Sequence, residues 1–190
     1  MGLWEQLEDD EKIVLYAIGA LNQPLRSKLK IQKILFLVVN VFEDLNDLLR
    51  YEPHLMGPYS ERIDYLLSDL ERLGLVSVSG SSYFLTGKGQ EVFNKLKPKK
   101  ELSEIIDDFK AFLNDLSDNE VMTFIYTFYP KYTSESTKWD ELKENRVDYA
   151  NRLLLKGKVS FHKAAQMANL DAQDYADLLK RSNIKWRAQL

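Results

Sequence analysis

Basic side chains able to hold phosphate gather in three places along this chain, and nucleic-acid contact is the chemistry they best suit. Arg26, Lys28, Lys30 and Lys33 occur with no acidic residue between Asn22 and Phe42. Arg26, Lys30 and Lys33 fall at i, i+4 and i+7, the spacing of one helical side, so they can grip phosphate together. Arg62, Tyr65 and Arg72 form a second group, with Lys88 further along in Gly87-Lys88-Gly89. From Lys156 to the last residue the chain carries seven basic residues against three acidic, including Lys163, Lys180, Arg181, Lys185 and Arg187, with Gln173 among them. For each group a plain solvated face, a protein contact or a structural helix pair is the competing reading.

Other chemistry finds few residues. Metal sites need clustered His, Cys and carboxylates, but cysteine is absent, and His54 and His162 are far apart. No metal ligand and no cofactor is therefore expected. There is no G-x-S-x-G nucleophile elbow, no Walker A loop and no G-x-G-x-x-G fingerprint, so no catalytic residue is assigned and a non-enzyme is expected. Carboxylate pairs such as Asp107-Asp108 read as solvated helix surface.

The elements that must position these residues follow from local rules. Ile13, Val14, Ala17, Ile18 and Leu21 define one face of a first helix ahead of Gln23-Pro24. Ser27 can N-cap a second helix running to about Leu45, with a nearly continuous apolar second half that belongs inside the fold. Residues 51–56 read as a brief extended segment before Gly57-Pro58. From Ser60, the repeat of Ile63, Leu66, Leu67, Leu70 and Leu73 predicts an amphipathic third helix, with Gly74 as its left-handed stop. Its outward face carries Glu61, Asp64, Asp69 and Glu71 against Arg62 and Arg72, an acidic balance that opposes duplex DNA. Leu75-Val76-Ser77-Val78 and Tyr83-Phe84-Leu85-Thr86 predict a hairpin, after which Thr86 caps a helix through Val92, Phe93 and Leu96. Helix, helix, helix, hairpin, helix is the order of a winged helix.

Lys97-Pro98-Lys99-Lys100 breaks the helical pattern, which places a domain boundary near residue 100 and makes residues 101–190 an all-helical second domain. Ile105, Ile106, Phe109, Phe112 and Leu116 mark its first helix. Ser117-Asp118-Asn119-Glu120 is a capping box opening another, which ends near Pro130. A single helix is expected from about Thr137 to Leu155, stopping at Gly157. Ser160 then caps a short helix with Ala164, Ala165 and Ala168, Asn169 takes a left-handed turn, and Asp171 caps a helix through Tyr175, Leu178 and Leu179. Residues 158–182 thus read as a helix-turn-helix. The fold class expected is mainly α, with a short β-hairpin wing.

Composition narrows the setting. The 190 residues are 45% hydrophobic, enough for one large core or two small ones, and the net charge of −3 argues against coating nucleic acid through a global positive field. Lack of cysteine, an acidic N-terminus and an apolar run from Ile34 to Phe42 far short of the roughly 20 residues that span a bilayer lead to a cytoplasmic expectation, with no membrane partner.

Lys33-Ile34-Leu35-Phe36-Leu37, Met56-Gly57-Pro58-Tyr59-Ser60, the run from Leu70 to Val76 and that from Tyr83 to Gly89 together resemble a family of bacterial and archaeal winged-helix proteins, and more distantly the Panacea antitoxins. The run from Ala150 to Ser160, followed by Lys163-Ala164-Ala165-Gln166-Met167-Ala168, is similar to a second prokaryotic family of small predicted antitoxins with a helix-turn-helix. This chain has Asn169 at their usual turn glycine. The resemblance implies a DNA-binding transcriptional regulator or antitoxin-like protein, with a toxin as a possible protein partner, and transfers no catalytic residue. Paired half-sites favour a homodimer on duplex DNA. The alternative is a protein-protein interaction adaptor that uses the winged helix to hold a partner.

Overall fold

In the computed structural model, which describes residues 2–186, the chain opens with one helical turn, α1 (Leu3–Gln6), and then α2 (Asp9–Gly19). A 3-10 turn at Ala20–Asn22 ends α2 with Leu21 and Asn22 both left-handed, at φ 57° and 51°. The Ser27 hydroxyl accepts from the Lys30 N–H and starts α3 (Lys28–Val41), whose residues from Lys30 through Val39 are all buried. A 3-10 turn at Glu43–Leu45 leads to the short α4 (Asn46–Leu49). Ser60 accepts from the Ile63 N–H to open α5 (Glu61–Arg72), and Gly74 ends it at φ 69°. The expected second helix is thus shorter than its apolar run, because the chain turns at Phe42.

β1 (Val76–Ser79) and β2 (Ser82–Leu85) pair antiparallel, with Val76 opposite Leu85 and Val78 opposite Tyr83. Leu25 adds to this hairpin through reciprocal 2.8 Å backbone bonds with Tyr83. Thr86 caps α6 (Gly87–Phe93), and α7 (Lys100–Leu113) packs on α3. The glycine of the Thr86-Gly87-Lys88-Gly89 turn is dictated by space: a Cβ at Gly89 would stand 1.9 Å from the Leu75 carbonyl oxygen. Thr86 Oγ1 donates to Gly74 O and accepts from Gly89 N, tying the exit of the hairpin to the end of α5.

Two compact units result. The first comprises Met1–Glu52 and Pro58–Leu116, the second Pro53–Gly57 and Ser117–Leu190. The sequence break at Lys97 to Lys100 therefore lies inside the first unit rather than at its edge, because α7 covers α3.

In the second unit, Ser117 and Glu120 form the capping box of α8 (Asp118–Phe128), followed by a 3-10 turn at Pro130–Thr133. The single helix expected from 137 to 155 is two: α9 (Trp139–Glu144) and α10 (Arg146–Leu155), parted at Asn145, where φ −105° and ψ 8° interrupt the helix. Gly157, at φ 66°, ends α10 with the paired bonds Lys158 N to Leu153 O and Gly157 N to Leu154 O. Ser160 caps α11 (Phe161–Ala168), Asn169 turns at φ 57°, and the Asp171 carboxylate caps α12 (Ala172–Arg181). Ala164, Ala165 and Ala168 are buried, so α10 and α11 approach closely. Tyr175 is fully buried and its hydroxyl donates to Asn151 Oδ1 at 2.7 Å. The chain is mainly helical with one small antiparallel sheet.

Candidate nucleic-acid interface

A lysine on a helix surface and a lysine under a neighbouring helix look alike in sequence, and the first basic cluster mixes the two. Arg26 and Lys28 are exposed. Lys30 and Lys33 are not: they are 5% and 1% exposed. Lys30 Nζ donates to Asn114 O at 2.9 Å, at the C-cap of α7, and Lys33 Nζ donates to Pro58 O at 2.7 Å. The expected four-cation phosphate grip is therefore corrected to Arg26 and Lys28, since the other two ammonium groups saturate buried carbonyls. Lys28 in turn donates to Asp64 at 2.7 Å.

Lys88 is exposed, yet its ammonium too is engaged by a carbonyl. Its Nζ donates to Leu73 O, the C-cap carbonyl of α5, at 2.8 Å, which stabilises the negative end of that helix. A residue the sequence reading passed over completes the pattern. Lys110 is fully buried on α7, and its Nζ donates to Ile18 O, Ala20 O and Gln23 O at 2.7, 2.6 and 2.6 Å, clasping the left-handed kink after α2. Burial pushes its pKa from 10.5 down to about 7, while Asp107 opposes the shift. Its signal was present in the stripe Ile106, Lys110, Leu113, where a cation occupies the i+4 place of an apolar face. Lys30, Lys88 and Lys110 thus each cap the end of another helix.

Side chains of α3 and α5 and of the segment between them also form one network. Gln32 Nε2 donates to Ser60 O at 2.9 Å while its Oε1 accepts from Ser60 N at 3.0 Å, so one side chain pairs both backbone polar groups of that residue. Tyr51 donates to Gln32 O, and Ser60 Oγ donates to Leu49 O. Asp64 accepts from Lys28, Gln32 and Tyr59. Burial works against its carboxylate, but these bonds outweigh it and hold its pKa below the ordinary value. The same bond is the main cause that pushes the Tyr59 hydroxyl up to about 12.

This changes the outer face of α5. Asp64 is turned into the network, Arg62 is paired with buried Asp10 at 2.6 Å, and Arg72 pairs with Asp69 at 2.8 Å. Tyr65 is 57% exposed, with the Arg62 guanidinium 5.3 Å from its ring centre. Glu61 and Glu71 remain exposed.

In the second unit, Lys163, Gln173, Lys180, Arg181 and Lys185 are all exposed. Gln173 Nε2 donates to Asp177 Oδ2 at 3.3 Å, and Lys180 stands 3.8 Å from the same carboxylate, which partly neutralises it. Lys163 lies over the Phe128 ring at 5.6 Å. Trp186, beside Lys185, stacks on Phe161 at 4.7 Å. Arg187, the last of the basic residues read from the sequence, lies outside the described residues. Lys156 is committed to Glu120, whose two oxygens accept from its Nζ at 3.0 and 2.8 Å. Of the three basic groups, this one keeps the most cations on its surface.

Among the described residues no group of three or more His, Asp or Glu side chains is placed to hold a metal ion, and no helix is long and apolar enough to cross a membrane. No family model matches the chain, and no curated protein matches it significantly.

Proposed function

We propose that the protein is a DNA-binding regulator, antitoxin-like in the sense the sequence resemblance implies, whose DNA contact is made by α11 and α12. The observation that carries this reading is the pair itself: two short helices joined through left-handed Asn169 and the Asp171 cap, with Lys163, Lys180, Arg181 and Lys185 exposed. The buried alanines and Tyr175 fix α12 from behind, leaving its outer face for a groove. The first unit is read as a winged helix, supported by the order α2, α3, α5, hairpin, α6 and by the bridge from Leu25 to Tyr83. Its third helix keeps too few uncommitted cations to hold phosphate well, so the winged helix serves as scaffold or partner-binding half. A homodimer on a two-fold site is part of the proposal.

Charge reversal at Lys180 and Arg181 together tests the site. Binding to duplex DNA that weakens at least tenfold against an unchanged melting curve supports it; unchanged binding overturns it. A second reading, a protein-interaction adaptor, draws support from the exposed Tyr65 and the exposed Glu61 and Glu71 of the α5 face, and predicts that Tyr65→Ala weakens capture of the partner protein while DNA affinity stays unmeasurable.

A further inference from the structure

The first unit carries a groove of about 490 Å³ that the proposed function does not use. Its apolar wall is built by Ile13 and Tyr16 of α2, Phe42 and Leu45 at the turn after α3, Leu48 of α4 and Leu102 of α7. Leu48 is 39% exposed, an apolar side chain left facing solvent. A volume of this size, mostly apolar and with a few polar groups at its edge, is the usual make-up of a small-ligand site.

The charges at the edge say which ligand. Asp9 and Lys12 line the groove but neutralise each other at 3.3 Å. Lys97 and Lys99, from the segment before α7, also line it, and both are exposed. Neither is in an ion pair among the described residues, and Asp44 is the carboxylate left against them. Pro98 between them restricts the backbone on which they stand. A neutral oil would leave these two ammonium groups unused, and a cation would be repelled.

We propose that this groove binds an amphipathic anion, a molecule with an apolar body of acyl-chain type and one anionic head, with the body against Leu45, Leu48 and Leu102 and the head between Lys97 and Lys99. The site is separate from the α11 and α12 surface, so its fate does not depend on the DNA reading.

The test uses the full chain and dodecanoate, followed by isothermal calorimetry and by displacement of anilinonaphthalene sulfonate fluorescence. Dodecanoate should bind at one site per chain and displace the dye. The Lys97→Glu/Lys99→Glu double variant, altered only at exposed positions, should weaken dodecanoate by about tenfold or more, because two favourable charge contacts are lost and two unfavourable ones gained. Leu48→Asp should abolish it, with far-UV circular dichroism reporting that the variant is folded. Dodecanol binding as tightly as dodecanoate overturns the proposal, as does affinity indifferent to the double charge reversal. A chain that sediments as a dimer, becomes monomeric on Leu48→Asp and ignores dodecanoate would assign the groove to a second copy and also overturn it.

Discussion

Replacing Lys110 with methionine keeps nearly the same length and apolar stem but removes the ammonium that holds three carbonyls. Those carbonyls, from Ile18, Ala20 and Gln23, lie in or beside a kink with two consecutive left-handed residues, Leu21 and Asn22, both bearing a β-carbon. Each acceptor left without a donor costs about 1–3 kcal/mol, so the gross loss is roughly 3–9 kcal/mol. Against it stands relief from keeping an ammonium out of water, the same effect that draws the Lys110 pKa down to about 7. The net expectation at neutral pH is a loss of about 3–5 kcal/mol, the lower part of that gross range once the desolvation relief is taken off. Urea unfolding followed by circular dichroism measures it, and Lys30→Met is the comparison, because the Lys30 ammonium also caps a helix, through the Asn114 carbonyl. Its expected cost is about 1–3 kcal/mol. If Lys110→Met costs no more than Lys30→Met, the clasp is not what holds the kink, and the reasoning from counted carbonyls fails.

Three further outcomes follow from the same geometry. Because the folded pKa of Lys110 lies below 10.5, the unfolded chain binds the extra proton between about pH 7 and that value, so stability from this group rises with pH across the window. The gap between wild type and Lys110→Met should therefore widen from pH 7 to 9 in urea titrations; a constant gap contradicts the shift. Gly89→Ala should lower stability by more than about 3 kcal/mol, since the new Cβ meets backbone at Leu75 that cannot move aside as a side chain would, and a melting temperature within a degree or two of wild type would refute this. Lys33→Met should destabilise by about 1–3 kcal/mol through the unpaired Pro58 carbonyl, yet leave any DNA affinity of the folded protein unchanged; a clear loss of affinity would return Lys33 to the interface.

The parts of the fold legible in sequence were those set by neighbours along the chain. Ser27, Ser60, Thr86, Ser117, Ser160 and Asp171 each cap the helix they precede, and Gly74, Gly157 and Asn169 each take the left-handed conformation that ends one. These depend on a few local torsions and hydrogen bonds. The break at Asn145 was invisible because apolar residues keep helical spacing on both sides of it, and nothing in that pattern registers one non-helical residue. The candidate site was legible only by charge, which is where it failed. Lys30, Lys33 and Lys88 bond to carbonyls of residues 15 to 84 positions away, and a carbonyl leaves no mark in a side-chain pattern. Ser60 was in view as part of a family resemblance, but its reciprocal pairing with Gln32 needs α3 and α5 side by side. In the second unit the reading needed only short-range rules, and there its residues stand on the surface as expected.

The most direct test of the central claim is the affinity of the full chain for duplex DNA, from its own promoter and of random sequence, measured from about 50 to about 200 mM salt. If Lys163, Lys180, Arg181 and Lys185 meet phosphate, log affinity should fall against log salt with a slope of about −3 to −4 per protomer. Lys180→Glu/Arg181→Glu should flatten that slope by about two. No binding to either duplex at the lowest salt, or a slope untouched by the double variant, would contradict DNA contact through α11 and α12.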